Sequence, residues 1–193
     1  ARPTTPHLDA FAAGATRFAS AFAGGPKTIP SVPQILTGHY FYWHRAERGI
    51  ARLLGEGAVA THAIVNNPWV ASWLRNEQPG FAAVEAGDTL DARAITSGAL
   101  RWLTAAGRCP TALYLHYLDT HTPYRAPKRF ARRFIDPHAE TSVGLTYDDV
   151  TRAWQQGYGE ADRQRIVDLY DGTLAYTDRQ LGRLLRGLAR RGR

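Results

Sequence analysis

Three stretches of the 193-residue chain place reactive side chains where a strand or loop is expected to give way to the next element. In Gly25–His39 (GPKTIPSVPQILTGH), Thr28 follows Lys27 and precedes Pro30 and an apolar run that closes on Gly38. A helix starting here would present unpaired backbone N–H groups and the positive end of its macrodipole, which favours a bound anion. A threonine hydroxyl beside that anion is a candidate nucleophile. Its alkoxide is too basic to form unaided at neutral pH, so it would need a metal ion or a nearby base. Asp119-Thr120-His121 follows the apolar run Thr111–Leu118, and Asn66-Asn67 follows Ala58–Val65. Together they would offer a hydroxyl, an imidazole and amides to one anionic ester. Each also has a purely structural reading: Thr28 as a turn or capping residue, His121-Thr122-Pro123-Tyr124 as a turn pinned by proline, and Asn66-Asn67-Pro68 as a loop opener. Spacing alone leaves both readings open.

The surrounding pattern says which elements must hold these residues. Thr5-Pro6 predicts an N-cap and first helical residue for a short helix through Ala13. Thr16–Ala23 (TRFASAFA) alternates in part and predicts a strand, broken by Gly24-Gly25-Pro26. Pro30–Leu36 predicts a helix stopped by Gly38. Tyr42–Gly55 carries Ile50, Leu53 and Leu54 at helical spacing, and Ala58–Val65 predicts a strand. Asp88–Ala106 predicts a long helix leading into the strand Thr111–Leu118 (TALYLHYL). Residues 125–158 predict loops and short helices. Ala161–Ala189 predicts one amphipathic helix with Ile166, Leu169, Tyr170, Leu174, Leu181, Leu184, Leu185 and Leu188 on one face. Helix and strand in alternation predict an α/β fold with a mainly parallel sheet, where ligands collect at the carboxyl ends of the strands.

Composition narrows the class further. With 44% hydrophobic and 21% charged residues, the chain is expected to form a single globular domain, residues 1–193, with a real core. No apolar run approaches the roughly 18 residues that cross a bilayer. The single cysteine, Cys109, excludes an internal disulfide. The chain lacks methionine and begins ARPTTPHLDAF, which predicts a processed or truncated piece. A signal peptide ahead of residue 1 would place it in the periplasm or outside the cell. A net charge of +7 suits an anionic partner such as nucleic acid, a phospholipid surface or a sulfate or phosphate ester. Much of the excess lies in Arg183, Arg186, Arg190, Arg191 and Arg193, where cations complement a helix C-terminus. A nucleic-acid partner is therefore not the expectation. The alternative of a non-catalytic domain binding anionic polymers rests on that charge and on His39–Arg45 (HYFYWHR), with Trp43 and Arg45 as its stacking and basic residues.

These residues carry a resemblance. TTPHLDAFAAGATRFASAFA resembles the sulfatase segment in which a T-P-N-L-D-x-L-A helix leads into a strand, and TIPSVPQILTG is similar to the signature C-x-P-S-R-x-x-x-L-T-G. LYLHYLDTHTPYRAP resembles the apolar strand followed by D-P-H-x-P-Y. LYDGTLAYTDRQLGRLLRGL resembles the helix Y-D-G/A-E-I-x-Y-x-D-x-x-I-G-x-L-L. The matches run in the family's order from Thr5 to about Leu188. The family is the sulfatases, within the alkaline-phosphatase-like superfamily, whose fold is a mixed, mainly parallel sheet with helices on both faces.

The resemblance implies a catalytic site with departures. The formylglycine precursor, cysteine or serine in the family, falls on Thr28, and the signature arginine falls on Val32. The G-K-W-H cluster falls near Val65–Pro68, where this chain has VNNP. The histidine of D-P-H-x-P-Y is kept as His121, which by resemblance binds the sulfate group, with Asn66 or Asn67 as further donors. His116 and Lys27 would support the site from behind. Superfamily relatives that cleave or transfer phosphate esters, phosphonates or phosphoethanolamine use an unmodified threonine, which implies Thr28 as a metal-bound nucleophile. The resemblance implies a divalent metal, calcium in the first place and zinc or manganese otherwise, and a small-molecule or glycan sulfate or phosphate ester as substrate. The family's metal ligands lie on a strand before the T-P-N-L-D helix and in a D-H-G or D-N segment after the long helix. It therefore implies that this chain is an internal fragment of a catalytic domain, without the metal cage and without turnover. A degenerate family member that has lost catalysis at full length is the third reading.

Overall fold

The computed structural model describes residues 2–40, 49–77, 79–138 and 141–192. Its elements run α1 (Pro6–Ala12), α2 (Thr28–Thr37), α3 (Ile50–Glu56), β1 (Ala60–Val65), α4 (Pro68–Asn76), β2 (Ala83–Ala86), α5 (Ala92–Ala105), β3 (Thr111–His116), α6 (Lys128–Ala131), α7 (Tyr147–Gln156) and α8 (Glu160–Ala189). They fall into two compact units, one of residues 17–116 and the other of residues 1–16 with 117–193.

The unit of residues 17–116 holds a parallel sheet in the order β2-β1-β3. Val65 aligns with Ala86 on one side and His116 on the other, so all three strands end at the same level. The central strand β1 is covered on both faces, as the apolar run AIV at its end requires of a parallel strand. Ala63 and Val65 share a core with Val32 and Leu36 of α2 and Val70, Trp73 and Leu74 of α4. On the opposite face His62 stacks on Trp102 of α5 with ring centroids 5.2 Å apart. There Gly98 lets α5 approach closely, since a Cβ would stand 3.1 Å from Ile64 Cδ1. Helices thus lie on both faces of the sheet, as expected for this fold class.

Several boundaries differ from the sequence expectation. Thr16–Ala23 is not a strand: its aromatic positions Phe18 and Phe22 are 78% and 94% exposed. Alternation identifies a strand only where a neighbouring edge accepts its hydrogen bonds and a layer covers one face. The helix expected from Asp88 starts at Ala92, because Asp91 is its N-cap and accepts from Ala94 N at 2.8 Å. Residues Gly87–Leu90 form the preceding turn, with Leu90 N bonded to Gly87 O at 3.2 Å. The strand expected through Leu118 ends at His116. The helix expected from Tyr42 is described only as Ile50–Glu56, since 41–48 lie outside the described residues; Ile50 and Leu53 are exposed rather than buried. Two elements were not expected, α4 and β2.

In the unit of residues 1–16 and 117–193, α1 and α6 pack on α8. The buried face of α8 follows the leucine stripe only in part. Leu169 and Leu184 are buried, whereas Tyr170 is exposed, and the covered positions include Gly172, Thr173, Ala175, Thr177, Asp178 and Gly182. Small residues serve because the neighbours come close. A Cβ at Gly172 would stand 3.0 Å from Ala131 Cα, and one at Gly182 would fall inside the His7 ring. Thr5 occupies the N-cap of α1 but makes no side-chain cap bond. Asp178 of α8 does so instead, accepting from His7 N at 3.1 Å and Leu8 N at 2.8 Å. A buried carboxylate at the positive end of a helix outcompetes the local hydroxyl. Arg2 pairs with Asp168 at 2.6 Å and Asp171 at 2.7 Å, tying the N-terminal segment to the same helix.

Candidate active site

Thr28 is the first residue of α2, with Lys27 as an extended N-cap. The first intrahelical bond is Ser31 N to Lys27 O at 3.2 Å. Pro30 has no N–H, so the amides without an intrahelical acceptor are those of Thr28 and Ile29. The loop before them is held tightly. Ser31 Oγ donates to Gly25 O at 2.9 Å, and a Cβ at Gly25 would stand 2.5 Å from Pro30 Cγ. Thr28 is half-buried and Lys27 exposed. Val32, where the resemblance places an arginine, is 4% exposed and belongs to the core with Leu36, Val65 and Val70. The helix therefore begins on the nucleophile candidate, and its fifth residue packs instead of reaching an anion.

At the carboxyl ends of β1 and β3, Asn66 and His116 meet: Asn66 N donates to His116 O at 3.4 Å. The Asn66 side-chain amide donates to Leu90 O. Asn67 is the N-cap of α4, its Oδ1 accepting from Val70 N at 3.0 Å. With Pro68 as the next residue, Asn67-Pro68 repeats the signature of Thr5-Pro6, and this could have located α4 from sequence. Asn67 also lines a cavity of about 170 Å³ at the ends of β1 and β2, together with Arg75, Gly87 and Asp88. This is where α/β sheets bind ligands. Thr28 and Lys27 do not line it.

His116 is set by a neighbour that sequence reading missed. Tyr114, two residues earlier and so on the same face of β3, shares a hydrogen bond between its hydroxyl and His116 Nδ1 at 2.9 Å. Burial holds the His116 imidazolium below its ordinary range, and burial pushes the Tyr114 phenol up to about 12. Both effects keep the imidazole neutral and the phenol protonated, so the pair shares one hydrogen bond without a net charge. His121 belongs to the other unit and is exposed. Its backbone N–H bonds to Leu118 O at 2.9 Å and its Nδ1 donates to Thr122 O at 2.7 Å, just before the cis Thr122–Pro123 bond. That tautomer leaves Nε2 for an outside partner.

Among the described residues no three His, Cys, Asp or Glu side chains converge on a possible metal position. Thr28, Asn66 and Asn67 bring only neutral oxygens, whereas a hard divalent cation takes carboxylates. The residues present therefore do not fit the calcium, zinc or manganese that the resemblance implies. Of HYFYWHR, residues 41–45 lie outside the described residues, including Trp43 and Arg45. Among the described residues no helix is long and apolar enough to cross a membrane.

A family model described as Sulfatase matches residues 1–193. No match is found among curated proteins. Solved structures share the fold at low identity. The lipoteichoic acid synthase LtaP from Listeria monocytogenes superposes with a TM-score of 0.70 at 16% identity, over 98% of this chain and 47% of that one. The phosphonate monoester hydrolase of Agrobacterium radiobacter superposes with a TM-score of 0.71 at 17% identity, over 96% and 54%. The C-terminal periplasmic domain of the phosphoethanolamine transferase EptC from Campylobacter jejuni does so with a TM-score of 0.65 at 18% identity, over 88% and 51%. The chain spans about half the length of these structures.

Proposed function

The chain belongs to the sulfatase family, within the alkaline phosphatase superfamily, and on that premise we propose that it carries the nucleophile side of a site for sulfate or phosphate esters, with Thr28 as the attacking residue. The observation that carries this reading is the start of α2 on Thr28, inside the segment TIPSVPQILTG. The amides of Thr28 and Ile29 and the positive end of α2 receive the ester's charged oxygens. Exposed Lys27 adds a neighbouring positive charge. Thr28 Oγ then attacks sulfur or phosphorus. The new bond is Oγ to that centre, the broken bond joins the centre to the leaving oxygen, the hydroxyl proton is lost to a base, and the leaving alcohol gains a proton. Water or an acceptor hydroxyl attacks the same centre and frees Oγ, which makes the reaction a hydrolysis or a transfer.

Supporting roles follow from the hydrogen bonds. The Asn67 Oδ1 is used by α4, so its Nδ2 is the donor left for an ester oxygen; the Asn66 amide is engaged with Leu90 O. His116, steadied by Tyr114, supports the end of β3. His121, in the other unit, is by resemblance the counterpart of the family's sulfate-binding histidine, and its Nδ1 bond to Thr122 O leaves Nε2 unused among the described residues. Neighbours named for phosphonate monoester hydrolysis and phosphoethanolamine transfer support phosphorus beside sulfur as the centre attacked. The described residues hold no carboxylate cluster for a metal, and the 193-residue chain by itself is expected to bind ester without turning it over.

The test is calorimetric binding of phenyl phosphate and phenyl sulfate, with product release followed in parallel. Thr28→Ala and Thr28→Pro separate the hydroxyl from the helix start: the first keeps the amide donors and the second removes one. Weaker binding in Thr28→Pro and no turnover in any form is the expected result. Unchanged binding in both variants would remove α2 from the site. Turnover by the wild-type chain that disappears in Thr28→Ala would confirm the nucleophile and overturn the expectation of inactivity.

A further inference from the structure

The unit of residues 1–16 and 117–193 contains a second concentration of chemistry, unrelated to Thr28. A cavity of about 320 Å³ opens between the start of α1, the α6 turn and the middle of α8. Its wall includes Arg129, Arg133 and Arg179, with Thr4 and His7 beside them. Among the described residues none of these arginines forms an ion pair or a side-chain hydrogen bond. Arg129 lies over the Phe130 ring at 4.9 Å and Arg133 over Phe134 at 5.3 Å. A guanidinium resting its face on a ring keeps its N–H edge free, and that edge is the part that matches an oxyanion.

Among the described residues one carboxylate, Asp178, lines the cavity, and it is turned to α1 and pairs with none of the three arginines. It is 2% exposed, and both oxygens are occupied: Oδ1 by Leu8 N, Oδ2 by His7 N and by His7 Nδ1 at 3.1 Å. The His7 ring in turn is seated on Gly182, where no Cβ fits. The floor carboxylate is thus committed to the start of α1, while the three arginines around the rim have no ion-pair partner among the described residues and leave the cavity with an excess of positive charge. The volume stands at the lower end of small-ligand pockets and exceeds what a bare tetrahedral anion needs.

We infer that this cavity is a binding site for a phosphate or sulfate group, free or carried on a small molecule such as a sugar, held by Arg129, Arg133 and Arg179. It is a site for anion capture with no bond made or broken. It does not depend on Thr28 being a nucleophile.

The experiment is a titration of the 193-residue chain with inorganic phosphate, inorganic sulfate and glucose 6-phosphate at low ionic strength, read by amide NMR. Saturable shifts at His7, Arg133 and Arg179 are expected, and glucose 6-phosphate binding tighter than inorganic phosphate would indicate a carried group as the occupant; the reverse order, a free anion. Arg179→Gln and Arg133→Gln should each weaken binding about ten-fold, the scale of one lost charge-assisted hydrogen bond. Arg190→Gln, which removes the same charge outside the cavity, should leave the affinity unchanged, as should Thr28→Ala. Absence of saturable shifts at these residues overturns the inference. So does an equal loss in Arg190→Gln, which would show only the attraction of net charge. Circular dichroism of each variant against wild type separates loss of binding from loss of fold.

Discussion

Thr28 and the histidines show how much of a residue's role depends on its surroundings. Thr28 gains chemical interest from being the first residue of a helix, while Val32 loses it by packing in the core. His62 is 8% exposed on β1, stacked on Trp102, with Nδ1 unpartnered among the described residues. Burial lowers its pKa, and Glu85, 3.9 Å from Nε2, only partly opposes this. His116 is lowered by burial as well. Both are neutral when folded, whereas in the unfolded chain they take up protons below about pH 6.5. The unfolded state then binds more protons, so their contribution to stability is complete above that pH and is lost as pH falls towards the folded values. Urea unfolding should give a lower stability at pH 5.5 than at pH 7.5, with a shallower slope in His62→Phe. A flat profile, or one that rises towards acid, would contradict this assignment.

At the scale of elements, caps decide more than periodicity. Asn67→Ala should cost about 1 kcal/mol, the usual value of an N-cap, read as a lower thermal midpoint with the α5 and α8 helices intact. Asp178→Ala should cost more than Thr5→Ala, because it leaves the buried-side amides of His7 and Leu8 without acceptors, roughly 2 kcal/mol or more. Equal effects would mean that the local hydroxyl caps α1 after all. Gly80 is the other sensitive point. Its φ is +101°, and a Cβ would stand 2.3 Å from Arg52 Cα, so Gly80→Ala is expected to destabilise by roughly 2 kcal/mol or more. A melting curve within about 1 °C of wild type would show that the Arg52 turn yields instead. The strands β1 and β3 and the helices α5 and α8 were legible to within a few residues, because their apolar patterns are long. The four-residue strand β2 was not, since AVEA carries no pattern of its own and becomes a strand by pairing with β1.

At the scale of the whole chain, the family assignment and the local chemistry point the same way without coinciding. The sulfatase family model matches all 193 residues, and the chain spans about half the length of solved neighbours. Its described residues bring no carboxylate cluster together. Calcium, zinc or manganese added to the 193-residue chain should therefore shift its melting temperature by less than about 1 °C, since a ligand stabilises only in proportion to its binding of the folded state. A clear, saturable rise with any of the three would reveal a site that the described residues do not form. The basic tail has a local explanation in part: Arg191 Nη1 donates to Gly187 O at 2.8 Å in the last turn of α8. Such a bond satisfies an end carbonyl and complements the dipole.

The sequence by itself determined the alternation of helix and strand, the helix opening near Thr28, and the ordered motifs that place the chain among the sulfatases. These are signals carried within a few residues or in linear order, which composition and spacing can express. Tertiary structure decided that Thr16–Ala23 forms no strand, that Tyr114 steadies His116, that the Asn66 and Asn67 side chains are engaged by neighbouring backbone, and that three arginines share a cavity. It also decided that α1 is capped from α8 by a contact spanning 171 residues of sequence. Pairing, burial and charge compensation depend on which distant groups come together, and no local pattern records that.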